Sequence, residues 1–147
     1  MGKLTKSIEI EASPEKVFAF ILDSEKMNEI NKGGPQMEPT TKGPDGVGST
    51  SHWVAPIGEK KMEFDMEITE FVKNKKVATR TVGASKFKMT GSYVLEPTAK
   101  GTKLTFSVDY ELPYSVLGKL VDKLKVGKEM EKGSGEAMEK VKKALEA

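Results

Sequence analysis

Three runs in the middle of the chain alternate between apolar and polar residues with a period of two. Met62, Phe64, Met66 and Ile68 alternate with Glu63, Asp65, Glu67 and Thr69. Phe87, Met89, Gly91, Tyr93 and Leu95 do so against Lys88, Thr90, Ser92 and Glu96, and Leu104, Phe106, Val108, Tyr110 and Leu112 against Thr105, Ser107, Asp109 and Glu111. Successive side chains of a strand point to opposite faces, so each run reads as a strand with one wet and one dry side. A sheet of such strands is antiparallel and must be covered on its dry face. Lys73-Asn74-Lys75 and Pro97 to Gly101 are short turns between them, with Val77 to Val82 as a further strand, which makes the sheet a meander.

The cover is read at the C-terminus, where Leu112 to Ala147 forms a long helix. Leu117, Leu120, Val121 and Leu124 fall at helical spacing, and Met130, Ser134, Ala137, Met138, Val141 and Leu145 continue as a second stripe. At about 100° per residue the second stripe is rotated by roughly a quarter turn from the first, with the break at Gly127. The expectation is a kinked helix, or a short helix followed by a long one. Gly127, Gly133 and Gly135 each cost such a helix about 1 kcal/mol relative to alanine. Small and methionine side chains laid over a sheet leave room beneath, which hints at a pocket.

Ahead of the meander, Leu4, Ile8 and Ile10 alternate with Ser7, Glu9 and Glu11 in a strand over Lys3 to Glu11. Ser13-Pro14-Glu15 then supplies an N-cap, a proline at the first helical position and an acid in the first turn. Val17, Phe18, Ile21 and Leu22 form that helix's apolar face. Asp23 and Ser24 cap a second, short helix anchored by Met27 and Ile30, and Gly33-Gly34-Pro35 ends it. Gly43-Pro44-Asp45-Gly46 is a turn, Val47 to Ala55 a strand in which Gly48 permits a bulge or close approach, and Pro56-Ile57-Gly58 another turn. The predicted order is strand, two helices, five or six strands and a long helix, in one domain spanning residues 1–147.

Composition removes several functions. With 24 basic and 22 acidic residues the net charge is +2, and Lys and Glu alternate along most of the chain, unlike the clustered basic surface of a nucleic-acid binder. There is no cysteine, so disulfides, thiolate catalysis and Cys-ligated metals are excluded. No apolar h-region opens the chain and no stretch approaches about 18 apolar residues, so a cytoplasmic protein without a membrane span is expected. Lys6 stands where a myristoylation signal needs Ser or Thr.

Four segments resemble the START-like superfamily also called SRPBCC, in its polyketide cyclase/dehydrase-like branch. They are Ser7 to Phe18, which reads as an opening strand and a helix starting at Ser-Pro-Glu; Gly46-Val47-Gly48-Ser49; Gly101-Thr102-Lys103-Leu104-Thr105 at the entry to the last strand; and the closing helix, with Leu117-Gly118-Lys119-Leu120 early and Val141, Ala144 and Leu145 late. They occur in the family's order across essentially the whole chain. Many relatives carry a tryptophan after the first helix, where Met27 and Ile30 stand here. The resemblance implies an α+β helix-grip fold, a curved antiparallel sheet of about six to seven strands around the C-terminal helix, with an apolar ligand between them.

The candidate lining is Trp53, Phe64, Met66, Phe87, Met89, Tyr93, Phe106 and Tyr110 on inward strand positions, with Met130, Ser134 and Met138 on the helix. Any one of these is ordinary core. Together, four methionines and two tyrosines form an adaptable lining rather than a tight core. His52 is the only histidine and neighbours the only tryptophan, and by alternation only one of His52 and Trp53 faces inward, Trp53 having the stronger claim. Arg80, the only arginine, would anchor a ligand carboxylate if its strand position turns it inward. Asp65, Glu67, Asp109 and Glu111 fall on wet faces and do not make a metal site. No G-x-S-x-G and no phosphate loop occurs. The expected function is binding or transport of a small hydrophobic molecule (a lipid, isoprenoid or polyketide-like compound) without a cofactor. The alternatives are an aromatase/cyclase-like enzyme drawing on His52, Tyr93 or Tyr110, and a co-chaperone-like interaction module.

Overall fold

The computed structural model describes residues 2–57, 60–83, 87–111 and 123–147. Strand β1 (Gly2–Ile10) turns its even-numbered residues towards the core and its odd ones to solvent. The Ser13 side chain then accepts the Lys16 N–H at 3.3 Å and starts α1 (Pro14–Leu22), which buries Val17, Phe18 and Ile21. Asp23 ends α1 and caps α2 (Ser24–Ile30), its carboxylate accepting the Lys26 N–H at 3.1 Å. The meander follows as β2 (Gln36–Pro39), β3 (Thr50–Ile57), β4 (Lys60–Val72), β5 (Lys76–Val82), β6 (Lys88–Pro97) and β7 (Thr102–Glu111), and α3 (Lys123–Glu146) closes the fold. The strands form one antiparallel sheet in the order β1-β7-β6-β5-β4-β3-β2. This is the α+β helix-grip architecture, seven strands curving about one long helix.

Three details depart from the sequence reading. Alternation does not mark β2, a four-residue strand ending in Pro39. Its outer edge is held instead by one side chain: the Asn28 amide donates to the Met37 carbonyl at 2.8 Å and accepts the Met37 N–H at 2.9 Å. Strand β3 begins at Thr50 rather than Val47, because Gly46 to Ser49 form a turn. Gly48 has a φ of 93°, which favours glycine, and its N–H donates to the Ile68 carbonyl at 2.9 Å. The bulge itself lies opposite, in β4 between Ile68 and Glu70, and it restores Phe71 to the inner side, where its ring meets Phe18 edge-on at 5.4 Å. Strand β3 also continues through Pro56 and Ile57, which pair with Lys61 and Lys60, so no turn starts at Pro56. β2 reaches only to Val54, so β3 is an edge at Pro56 and tolerates a missing N–H.

The resembling segments at 7–18 and 101–105 meet in space, which explains their residue choice. A Cβ on Gly101 would run into the Ile10 carbonyl oxygen and lie 2.7 Å from the Ala12 nitrogen. Thr102, with no exposed surface, donates its hydroxyl to the Ala12 carbonyl at 2.7 Å. The turn between β6 and β7 is thus locked to the junction between β1 and α1. Ile10, Val17, Leu104 and Val141 are fully buried around it.

Helix α3 runs along β1 and touches α1 and α2. Its last turns bury Val141 and bind the end of β1: Lys142 Nζ donates to the Glu9 carbonyl at 2.8 Å and Glu146 Oε2 accepts the Glu11 N–H at 2.8 Å. The Lys142–Glu146 pair, 2.6 Å apart, lowers the Glu146 pKa and raises that of Lys142 through their mutual hydrogen bond. The helix runs unbroken through Gly127, so the division into two helices at that residue is not found. The stripe of Leu117, Leu120 and Val121, the end of the last strand at Leu112 and the turn residue Gly58 lie outside the described residues, as does the side chain of Leu124. Gly127 does have a steric reason, since a Cβ there would stand 3.3 Å from Tyr110 Oη. Gly133 and Gly135 have none, because a Cβ at either would meet open space.

Candidate functional site

Alternation turns the odd residues of β3, the even residues of β4 up to the bulge, the odd residues of β5 and β6 and the even residues of β7 to the side covered by α3. The expected lining residues fall there in two groups. Trp53, Phe64, Met66, Phe87, Met89, Tyr110 and Met130 form one, completed by Val126, Ala55 and Met62. Trp53 stacks on Phe64 with ring centroids 6.3 Å apart, and Phe64 meets Phe87 at 5.0 Å. Tyr93, Phe106 and Met138 belong to the other, which is continuous with the core of α1 and α2. Tyr93 and Phe106 pair across β6 and β7 with centroids 4.9 Å apart. Ser134 is half-buried on α3 between Met130 and Met138.

The degree of burial divides these residues further. Phe64, Met66, Phe87, Tyr110 and Met138 are buried as core side chains are. Trp53, Met89, Tyr93 and Phe106, also on the covered face, and Met130 on α3 remain only half-buried. Trp53 satisfies its indole N–H on Ser51 Oγ at 2.9 Å. The Tyr93 phenol is pushed up to about 12 by burial alone.

The other polar candidates stand outside. His52 lies on the opposite face from Trp53, with Nδ1 2.7 Å from Asp65 and Nε2 3.1 Å from Glu63, and hydrogen bonds to these two carboxylates raise its pKa. Arg80 is exposed and pairs with Glu67 at 3.4 Å on that same face. Neither reaches the face that α3 covers. Asp65, Asp109 and Glu111 are exposed and Glu67 half-exposed, as their alternation implies.

The residue that sequence reasoning passed over is Lys6. It shares the inward parity of Leu4, Ile8 and Ile10, so the alternation that placed those three also places it. Its ammonium reaches Glu131 of α3 at 3.1 Å. Both line an open groove of about 570 Å³ along α3, with Lys128, Lys132 and Gly135 among its walls. A smaller groove of about 270 Å³ lies at the end of β5 and β6, between Arg80, Lys88 and Met89. No helix among the described residues is long and apolar enough to cross a membrane.

Comparison with known proteins agrees with this architecture. The chain is 28% identical over 146 residues to an uncharacterized 17.2 kDa protein of Streptomyces lincolnensis from the melC2-rnhH intergenic region, covering 99% of this chain and 91% of that one. Among solved structures, TTHA0849 from Thermus thermophilus superimposes with a TM-score of 0.80 at 23% identity, over 98% of this chain and 97% of the other. The di-domain ARO/CYC StfQ of the steffimycin biosynthetic pathway superimposes with a TM-score of 0.74 at 12% identity, and the match takes in 98% of this chain and 50% of StfQ. At these identities the two structures speak for the fold alone. The family profile for polyketide cyclase/dehydrase and lipid transport matches residues 1–146, and the chain belongs to that family.

Proposed function

We propose that this chain, acting as a single cytoplasmic domain, binds a small hydrophobic molecule between the sheet and α3, as a carrier or sensor rather than a catalyst. The observation that carries the reading is the half-burial of Trp53, Met89, Tyr93 and Phe106 on the face that α3 covers, and of Met130 on α3 opposite them. Side chains of this size, placed between two layers, are sealed when the layers pack directly. Accessible surface on this row of them supports room between the helix and the sheet.

The polar groups support binding over proton transfer. The only histidine is on the far face. Tyr93, with its pKa pushed up to about 12, is a poor proton donor or acceptor at neutral pH. A ligand hiding about 300 Å² of apolar surface there would gain about 7.5 kcal/mol before ordering costs. Methionines suit such a lining because they repack around contents of irregular shape.

The test is a titration of a neutral environment-sensitive dye, Nile red, monitored by fluorescence, together with native mass spectrometry of freshly purified protein. Saturable binding at one site per chain is expected. It should weaken in Phe106→Ala and Met89→Ala and stay unchanged in His52→Ala. Absence of saturable binding, or equal effects of His52→Ala and Phe106→Ala, would refute the reading.

A further inference from the structure

Lys6 is an anomaly in the pattern that builds the fold. The even-numbered positions of β1 face α3, and Leu4, Ile8 and Ile10 fill theirs with apolar side chains. A lysine in that row has to keep its ammonium wet or paired. It does so against Glu131, with 35% of the Lys6 side chain and 58% of the Glu131 side chain exposed. An exposed pair of this kind contributes little to stability, and an apolar residue would cover more of the core. The needs of folding do not account for a lysine here.

The cross-strand register shows what else the ammonium is near. Lys6 lies opposite Phe106, and Phe106 lies opposite Tyr93. Neighbouring strands are about 4.8 Å apart, so Lys6 and Tyr93 rise on either side of Phe106 from backbones roughly 10 Å apart. The Tyr93 hydroxyl has no hydrogen-bond partner among the described residues, and burial alone accounts for its shifted titration. None of the fully sealed side-chain nitrogens and oxygens of the described residues lacks a partner. The unpartnered phenol is therefore deeply placed but not completely sealed. One cationic donor and one neutral donor flank a half-buried aromatic ring, at the mouth between β1 and α3.

Two donors with no acceptor between them suit an anionic oxygen. The groove outside the mouth is lined by Lys6, Lys128, Lys132, Lys140 and Lys143 against Glu131, Glu136 and Glu139. That excess of positive charge favours the approach of an anion.

We propose that the molecule held under α3 is an amphipathic acid whose carboxylate sits over Phe106 between the Lys6 ammonium and the Tyr93 hydroxyl, replacing Glu131 as the partner of Lys6. This rests on the ligand-binding reading above and specifies its chemical class. Because the incoming carboxylate takes over the Lys6 contact, ligand entry releases one tie between α3 and β1.

The experiment compares dodecanoate with dodecanol, which share an apolar chain and differ in charge. Both are titrated by calorimetry at low salt and pH 8, below the concentration at which they self-associate. The wild type should bind dodecanoate at least about tenfold more tightly than dodecanol. Lys6→Met and Lys6→Gln should each bring the two ligands to parity, the second variant keeping a wet polar tip in case the first misfolds. Tyr93→Phe should weaken dodecanoate alone. Glu131→Gln, which frees the ammonium, should strengthen dodecanoate several-fold and leave dodecanol unchanged. Equal wild-type affinities, or a preference that survives loss of Lys6, would overturn the proposal and leave the binding reading standing. Failure of both molecules to bind would overturn the two together.

Discussion

Replacing Gly133 and Gly135 by alanine should stabilise the protein, and the structure gives the size of the gain. Both residues lie inside α3, where glycine costs about 1 kcal/mol relative to alanine through the freedom it retains in the unfolded chain. A Cβ at either position meets nothing within 4 Å, so no clash offsets the gain. Two residues along a helix are about 200° apart, and with no shared neighbours the two effects should add. The double variant is therefore expected to gain about 2 kcal/mol, which for a domain of this size raises the Tm by about 4–8 °C. Gly127→Ala is the internal control. It gains the same propensity, but its Cβ would press on Tyr110 Oη at 3.3 Å, and the Tyr110 ring is itself laid across Gly2. Its net effect should be near zero or negative.

Urea denaturation followed by circular dichroism measures all three, with an unchanged m-value as the check that only stability has moved. If the double variant loses stability, or if Gly127→Ala gains as much as Gly133→Ala, the placement of α3 over the sheet is wrong. If the double variant gains stability but takes up Nile red more slowly, the glycines serve the helix as a source of give for ligand entry.

Gly101→Ala should destabilise by about 1–3 kcal/mol or more, because its Cβ would meet backbone atoms of Ile10 and Ala12 that cannot swing aside. Thr102→Val keeps the shape but orphans the Ala12 carbonyl, and should cost about 1–2 kcal/mol in the same urea assay; a neutral result at either position would contradict the locked junction. His52 gives a pH dependence of definite sign. Its folded pKa is raised above 6.5 by hydrogen bonds to Asp65 and Glu63, so its contribution is fully present below pH 6.5 and is lost as pH rises through the higher folded value. Thermal melts from pH 5.5 to 8.5 should show the wild type losing stability relative to His52→Gln across that interval, and a constant difference would refute the pairing.

Much of the fold was legible because it is written in short-range periodicity. Parity along a strand is a local property: it lets only one of Trp53 and His52 face inward, and the larger apolar side chain is the one that does. Caps are local too, and Ser13 and Asp23 act where the sequence puts them. What escaped was non-local. Strand β2 has no period of its own and exists because Asn28, on α2, supplies its outer edge with a donor and an acceptor. The start of β3 depends on the bonding of Gly48 to a carbonyl in β4, twenty residues later. The reason for Gly101 lies across the fold, in the backbone of Ile10 and Ala12.

The candidate site shows the same division from the other side. Alternation names which residues face α3, but it carries no information on how far α3 stands from them. Met66 and Met89 look alike in sequence, yet one is core and the other half-open. What separates them is packing by elements distant in the chain, Val126 and Met130 of α3 among them. Lys6 follows from the same geometry. At a mouth between strand and helix an ammonium can point inward by parity and still stay hydrated, a compromise unavailable one strand further in. The one charged residue in the row of β1 therefore sits where solvent and the covered face meet, which is where a molecule with an apolar body and an anionic end has to place its charge.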